Sequence, residues 1–230
     1  MKDMSLYIRY GVAVLFITFF VSSARADVIQ STPLLPPAGR YVSSDEVHAC
    51  FAMSHICLGN VSHSGFSLPT NVFTNGNQVE SFTSQLTGEV FSFANGQVGP
   101  SLGLIGLSGP VQVTIFGRQS ETELGTFNTQ MNLLNLSGTF NGMSVAIGLD
   151  PAHSSTGVTS IFPFGNEFRI SSFFDVFTQL SINGGPFEPA TGGVRVTAEP
   201  IPEPATLLLL GTGLAGVAMK MRKSRKRTFN

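Results

Sequence analysis

The chain has 230 residues, of which 42% are hydrophobic and only 12% are charged. All four lysines lie near the two ends, whereas residues 27–200 contain four arginines and twelve acidic residues, a net charge of −8. This excludes a nucleic-acid-binding domain, because such a domain needs a basic surface against the phosphates. At about 150 residues per domain, the length allows one domain or two small ones.

Residues 1–26 show the three parts of a secretory signal peptide. Lys2 and Arg9 give a basic start, and an uncharged run of 11 residues follows that is too short to span a membrane. Ala24-Arg25-Ala26 then places small residues at the positions that a signal peptidase reads. The pattern predicts cleavage before Asp27 and export of the rest of the chain.

Residues 27–40 form a proline-rich lead-in that we expect to be extended, and residues 41–200 are predicted to form a β-rich extracellular domain. Hydrophobic and polar residues alternate, as in half-buried strands, over four segments: Val111–Ile115, Met143–Leu149, Ile170–Ile182 and Val194–Val196. Both residues of an Asn-Gly step tolerate a positive φ, which predicts turns at Asn75-Gly76, Asn95-Gly96, Asn141-Gly142 and Asn183-Gly184. About ten short strands predict an all-β fold, a single β-sandwich or jelly-roll with a phenylalanine-rich core.

Cys50 and Cys57 are the only cysteines, and an even number of cysteines in an exported chain indicates a disulfide. His48, His55 and His63 lie nearby, so the segment also offers five ligands of the types that zinc prefers. The spacing matches no standard zinc site, and exported thiols are oxidised. The sequence therefore favours the disulfide over the metal site, and it predicts no cofactor.

Candidate catalytic groups are few. Asp150, His153 and Ser154 are close in sequence, but a catalytic triad is a spatial arrangement, and the sequence strongly favours a solvated turn for this segment. Glu167 and Asp175 are candidates for a carboxylate pair, with surface solubility as the alternative. The chain has no G-x-S-x-G motif. We therefore expect that the protein is not an enzyme.

Residues 201–230 form a second three-part segment. Pro202-Glu203-Pro204 comes first, and 15 uncharged residues follow over 205–219. At 1.5 Å per residue, a helix of this length covers about 22 Å, so spanning the membrane requires tilting or a thinned bilayer. Six basic residues follow, and they predict a cytoplasmic end: Lys220, Arg222, Lys223, Arg225, Lys226 and Arg227.

The order of these three parts resembles the PEP-CTERM sorting signal of Gram-negative, exopolysaccharide-producing bacteria. The resemblance covers residues 201–227 and implies recognition by an exosortase, a membrane transpeptidase thought to cleave near Pro202-Glu203-Pro204. It implies a precursor anchored in the inner membrane after signal peptidase has acted, and then a protein at the cell surface or in the extracellular matrix. The tail is then an address that is removed.

Three functions fit the sequence. The first is a non-catalytic surface or matrix protein associated with exopolysaccharide, which the sorting signal favours. The second is a carbohydrate-binding module, in which Tyr41 or exposed phenylalanines replace the missing tryptophans. The third is a secreted hydrolase, for which the sequence offers no convincing set of residues.

Overall fold

The computed structural model describes residues 27–44 and 48–201, and within them the regular structure consists entirely of β-strands. The strands, in chain order, are β1 (Val28–Gln30), β2 (Gly39–Ser43), β3 (Ala49–Phe51), β4 (Ile56–Ser64), β5 (Thr70–Thr74), β6 (Asn77–Ala94), β7 (Gln97–Phe116), β8 (Gly125–Phe140), β9 (Met143–Leu149), β10 (Ser155–Phe164), β11 (Glu167–Val176), β12 (Thr178–Ile182), β13 (Glu188–Pro189) and β14 (Val194–Pro200). The prediction of an all-β fold is confirmed.

Eight of these strands form a closed antiparallel barrel. The order around it is β2, β4, β6, β7, β8, β10, β11 and β14, and β14 pairs with β2 to close the ring. The predicted sandwich or jelly-roll is therefore wrong, because one continuous sheet returns to its own first edge instead of facing a second sheet.

The barrel wall divides into two branches because β4 and β8 change partners along their length. In β8, residues 125–131 pair with β10, and residues 135–140 pair with β9. In β4, residues 62–63 pair with β2, whereas residues 56–58 pair with β3. We call the end at which β6 begins and β7 ends the upper end. The opposite end, built by β3, β9, β12 and the β6–β7 hairpin, is the lower end.

Glycine and proline inside β7 explain why the sequence indicated short strands instead of this barrel. Gly103, Gly106, Gly109 and Pro110 look like loop residues, yet all lie within one strand of 20 residues. A Cβ at Gly109 would lie 2.0 Å from the carbonyl oxygen of Asn135 in β8. Gly109 therefore allows the close approach of β7 to β8 within a long strand and does not mark a turn.

All four predicted Asn-Gly turns are confirmed. Each asparagine has a φ of 49° to 52° and each following glycine a φ of 71° to 81°. The single long strand predicted over Ile170–Ile182 is wrong, because it breaks at Phe177. There the chain leaves the upper branch, where β11 pairs with β10 and β14, and continues as β12 beside β9.

The proline-rich lead-in belongs to the barrel. Its strand β1 pairs with β11, and Asp27 lies 3.7 Å from Arg169 in an exposed ion pair. The side chains of Leu35 and Pro37 are buried. The lead-in therefore packs against the upper end and closes it.

Candidate functional site

The two cysteines are joined by a disulfide between neighbouring strands. Cys50 of β3 lies opposite Cys57 of β4, with 4.0 Å between the Cα atoms and a bond between the sulfurs. The bond leaves no thiolate for a metal. The described residues contain no group of three or more possible metal ligands, and the three histidines lie in different surroundings.

The environments of these histidines show why they do not form one site. The ring of His48 packs edge-on against Phe91, with 4.9 Å between the ring centres. His55 occupies the β3–β4 turn with a φ of 55°. His63 projects into the barrel, where its Nδ1 lies 3.2 Å from the hydroxyl of Ser84. Burial lowers the pKa of His63 to about 4, so this ring is neutral at physiological pH.

A series of hydrogen bonds between hydroxyl groups crosses the barrel interior. The Tyr41 hydroxyl on β2 donates to the Ser172 hydroxyl on β11 at 2.9 Å, and Ser172 is hydrogen-bonded to Thr159 on β10 at 2.7 Å. Tyr41 is only 8% exposed. The expectation that Tyr41 could offer a sugar-binding surface is therefore wrong. Its ring fills the core and its hydroxyl is already paired.

A buried arginine connects the upper end to the interior. Arg118 is fully buried, and it donates to Gln78 Oε1 at 2.6 Å and to the backbone carbonyls of Pro33, Glu121 and Glu123. These carbonyls belong to the lead-in and to the loop between β7 and β8. The guanidinium therefore fastens both segments over the upper end of the barrel.

Glu80 continues this network into the interior. Gln78 Nε2 donates to Glu80 Oε1 at 2.8 Å, and Glu80 is nearly fully buried. Burial raises the pKa of Glu80 to about 8, although the nearby Arg118 acts in the opposite direction. The carboxyl group is therefore mostly protonated at neutral pH, which reduces the cost of holding it in an apolar interior.

Two cavities lie one above the other inside the barrel. The upper one, of about 80 Å³, is lined mainly by aliphatic and aromatic side chains, together with His63, Glu80 and Thr129. The Thr129 hydroxyl is buried without a hydrogen-bond partner among the described residues. The lower cavity, of about 320 Å³, is almost entirely apolar. Leu58 and Ile147 line both cavities and separate them.

The candidate catalytic residues lie outside these cavities. Asp150 Oδ2 and His153 Nδ1 are 2.6 Å apart, and this hydrogen bond, followed by one from the Ala152 amide, lowers the pKa of Asp150. The Ser155 hydroxyl accepts a bond from the Phe177 amide, and no serine hydroxyl among the described residues is hydrogen-bonded to His153. The structure thus shows an Asp-His pair without the nucleophile that a triad requires.

The two carboxylates considered as a pair are separated by their strand. Asp175 accepts two hydrogen bonds from Arg195, at 2.8 and 2.7 Å, and these lower the pKa of its carboxyl group. Glu167 stands at the opposite end of β11 from Asp175. Their arrangement does not form a joint site.

The last described strand leads directly into the predicted sorting segment. β14 ends at Pro200, beside Gly39 at the upper end of the barrel. Pro202, Glu203, Pro204 and the six basic residues lie outside the described residues, as does the predicted signal peptide over 1–26. Residues 27–44 and 48–201 contain no helix that is long and apolar enough to cross a membrane.

Comparison with protein families decides how this segment is interpreted. The family model for the PEP-CTERM protein-sorting motif matches residues 200–223. The chain carries a PEP-CTERM sorting motif. The motif indicates an exported protein that is sorted by an exosortase, a membrane-associated partner. Neither the curated proteins nor the solved structures gave a match to this chain.

Sequence reasoning missed the polar groups of the interior. Gln78 and Glu80 lie on the inward face of β6, at alternate positions with Phe82. That spacing was available in the sequence, but polar residues at alternate positions normally indicate the solvent face of a strand. The sequence offered one indication that Arg118 has a special role, because it is one of only four arginines in residues 27–200.

Proposed function

We propose that this PEP-CTERM protein is a non-catalytic barrel, displayed at the cell surface or in the extracellular matrix and associated there with exopolysaccharide. One observation carries the proposal. The matched motif begins at Pro200, where the last barrel strand ends. A cut near Pro202-Glu203-Pro204 would therefore remove the address and leave all fourteen strands. This is the arrangement expected of a folded domain that is delivered by a removable tail.

The interior supports a binding or structural role more than catalysis. Catalytic acids and bases need access to a substrate. The hydroxyl of Tyr41 and the side chain of Gln78 are instead engaged by neighbouring protein groups. Glu80, whose pKa lies near neutral pH, is buried in an apolar enclosure. We therefore assign these polar groups to the stability and closure of the barrel.

The surface charge limits how a polysaccharide can be held. The exposed arginines Arg40, Arg169 and Arg195 each lie within 3.7 Å of a carboxylate. The guanidiniums of Arg169 and Arg195 also lie over the rings of Phe164 and Phe173, at 4.6 and 4.3 Å. An acidic surface with paired arginines disfavours an anionic polymer. We expect association with uncharged polysaccharide or retention within its mesh.

Sorting is tested in the native host with Glu203→Ala and with a variant in which the six basic residues are neutralised. Glu203→Ala should accumulate as uncleaved, membrane-bound precursor, and loss of the basic residues should weaken anchoring or invert the tail. Glu199→Ala is the matched control, because it removes an exposed carboxylate four residues earlier, on the barrel itself. Wild-type fractionation and mature mass in both test variants would contradict the sorting mechanism.

The polysaccharide association needs a separate measurement. The mature protein should be retained with the cell-surface polymer in the producing host and should appear in the medium of a host that makes no exopolysaccharide. An identical distribution in both hosts would contradict the association while leaving the sorting result intact.

A further inference from the structure

The lower cavity is a separate feature that neither the sorting motif nor the polar network explains. It has a volume of about 320 Å³, and its deep walls consist of apolar side chains from β4, β6, β7, β9 and β12. Six of these illustrate its character: Leu58, Val90, Ile105, Val145, Ile147 and Leu180. An enclosure of this kind disfavours water, because it offers too few hydrogen-bond partners.

The shape of the lower cavity is long and narrow. Along β9 it extends from Met143 to Ile147, four residues that rise about 3.3 Å each, so its depth is about 13 Å. Dividing the volume by this depth gives a cross-section of about 25 Å², which corresponds to a width of about 5 Å. A channel deeper than it is wide suits a chain-shaped ligand better than a broad ring system.

The cavity opens at the lower end of the barrel. Its lining includes Leu102 and Met143, which are 45% and 36% exposed, and the exposed side chain of Asn141. Ser54 and Asn141 provide the polar side chains of the lining, apart from the disulfide. The polar groups are therefore at the rim and the apolar groups are inside, the distribution that an amphiphile requires.

Glu188 holds one side of this opening in place. Its carboxylate accepts hydrogen bonds from the Met53 and Ser54 amides and, at 2.7 Å, from the Ser54 hydroxyl. The neighbouring Thr191 amide donates to the Cys50 carbonyl at 2.8 Å. Hydrogen bonds to the Glu188 carboxylate and between backbone groups thus fix the rim. The cavity is therefore preformed.

From these observations we infer that the lower cavity binds one unbranched alkyl chain of an amphiphile, with the polar head group at the rim near Ser54 and Asn141. The opening lies at the opposite end of the barrel from Pro200, where the sorting motif begins. The bound chain therefore enters from the end of the barrel opposite Pro200.

The test uses the full chain in amphipol and a photoreactive alkyl alcohol that carries a diazirine near its methyl end. Peptide mapping should place the crosslinks on strands β7, β9 and β12 around Ile105, Val145 and Leu180. Mapping separates this labelling from any labelling of the tail. Unlabelled 1-dodecanol should abolish the barrel crosslinks. Across a series of alcohols, each added methylene should lower the competing concentration about fourfold until the cavity is full, after which the effect levels off.

Adjacent residues of β7 provide the matched variants. Ile105→Trp fills the cavity and should remove at least nine-tenths of the barrel labelling, whereas Leu104→Trp should leave it unchanged, because Leu104 is 81% exposed on the outside. Leu102→Trp at the rim tests the same point without altering the deep core. Crosslinks confined to the tail or to outward-facing residues would overturn the inference. So would equal losses in the Leu102 and Leu104 variants, or competition by a flat aromatic compound but not by dodecanol.

Discussion

Glu80 and His63 should give the barrel a stability that depends on pH in opposite ways. Burial raises the pKa of Glu80 from 4.5 to about 8 and lowers that of His63 from 6.5 to about 4. Between pH 4.5 and 8 the folded protein holds the Glu80 proton more tightly than the unfolded chain. The contribution of Glu80 to the free energy of unfolding therefore falls as the pH rises. Between pH 4 and 6.5 the unfolded chain holds the His63 proton more tightly, so stability rises with pH.

The two effects nearly cancel between pH 4.5 and 6.5, which leaves Glu80 alone above pH 6.5. Each pKa unit corresponds to about 1.4 kcal/mol, so the free energy of unfolding should fall by about 2 kcal/mol from pH 6.5 to pH 8. Glu80→Gln mimics the protonated carboxyl group and should abolish this fall. His63→Gln should expose the whole effect of Glu80, a decline of about 5 kcal/mol between pH 4.5 and 8.

Urea unfolding of the full chain, followed by far-ultraviolet circular dichroism at constant ionic strength, measures these free energies. Glu89→Gln is the control, because that carboxylate is hydrogen-bonded at the surface and its pKa is lowered, so it titrates below this range. The reasoning is refuted if wild-type stability is flat from pH 6.5 to 8. It is equally refuted if Glu80→Gln declines as steeply as the wild type.

Three further changes test other parts of the barrel. Replacing both Cys50 and Cys57 by serine opens a short loop and should cost about 2.5 kcal/mol in urea unfolding, while the unreduced wild type should lack two hydrogens by mass spectrometry. Arg118→Met removes the donor shared by the lead-in and the β7–β8 loop, and a loss of about 3 kcal/mol is expected, with faster proteolysis before β2. Glu188→Gln should accelerate amide exchange at Met53 and Ser54 without affecting exchange at the upper end.

Local features of the fold were predictable because local chemistry determines them. The Asn-Gly steps became turns wherever they occurred, and Val111, Val113 and Ile115 face the interior as their alternation indicated. The closed barrel was not predictable in the same way. Closure depends on β14 finding β2, 153 residues apart at the pair formed by Val196 and Ser43, and periodicity within each strand contains no information about that distant partner.

The same distinction between local and long-range information applies to the candidate sites. The sorting motif is a linear signal, so Pro202-Glu203-Pro204 could be recognised in the sequence and is matched by the family model. The cavities are formed by residues from many strands, and their lining could not be read from spacing. Asp150 and His153 illustrate the intermediate case: closeness in sequence produced a hydrogen bond, but it did not supply a nucleophile.

The closure of the barrel by its last strand has a consequence for the timing of export. β2 must wait for β14, and β14 is the last strand to leave the ribosome and the translocation channel before the sorting motif. Until then the exported chain has two unpaired strand edges and is open to chaperones, proteases and other copies. A stop at the tail would delay escape from the membrane during this interval. If the tail is still attached during this interval, we expect it to hold the unfolded chain at the membrane, and premature cleavage should then yield aggregates instead of closed barrels.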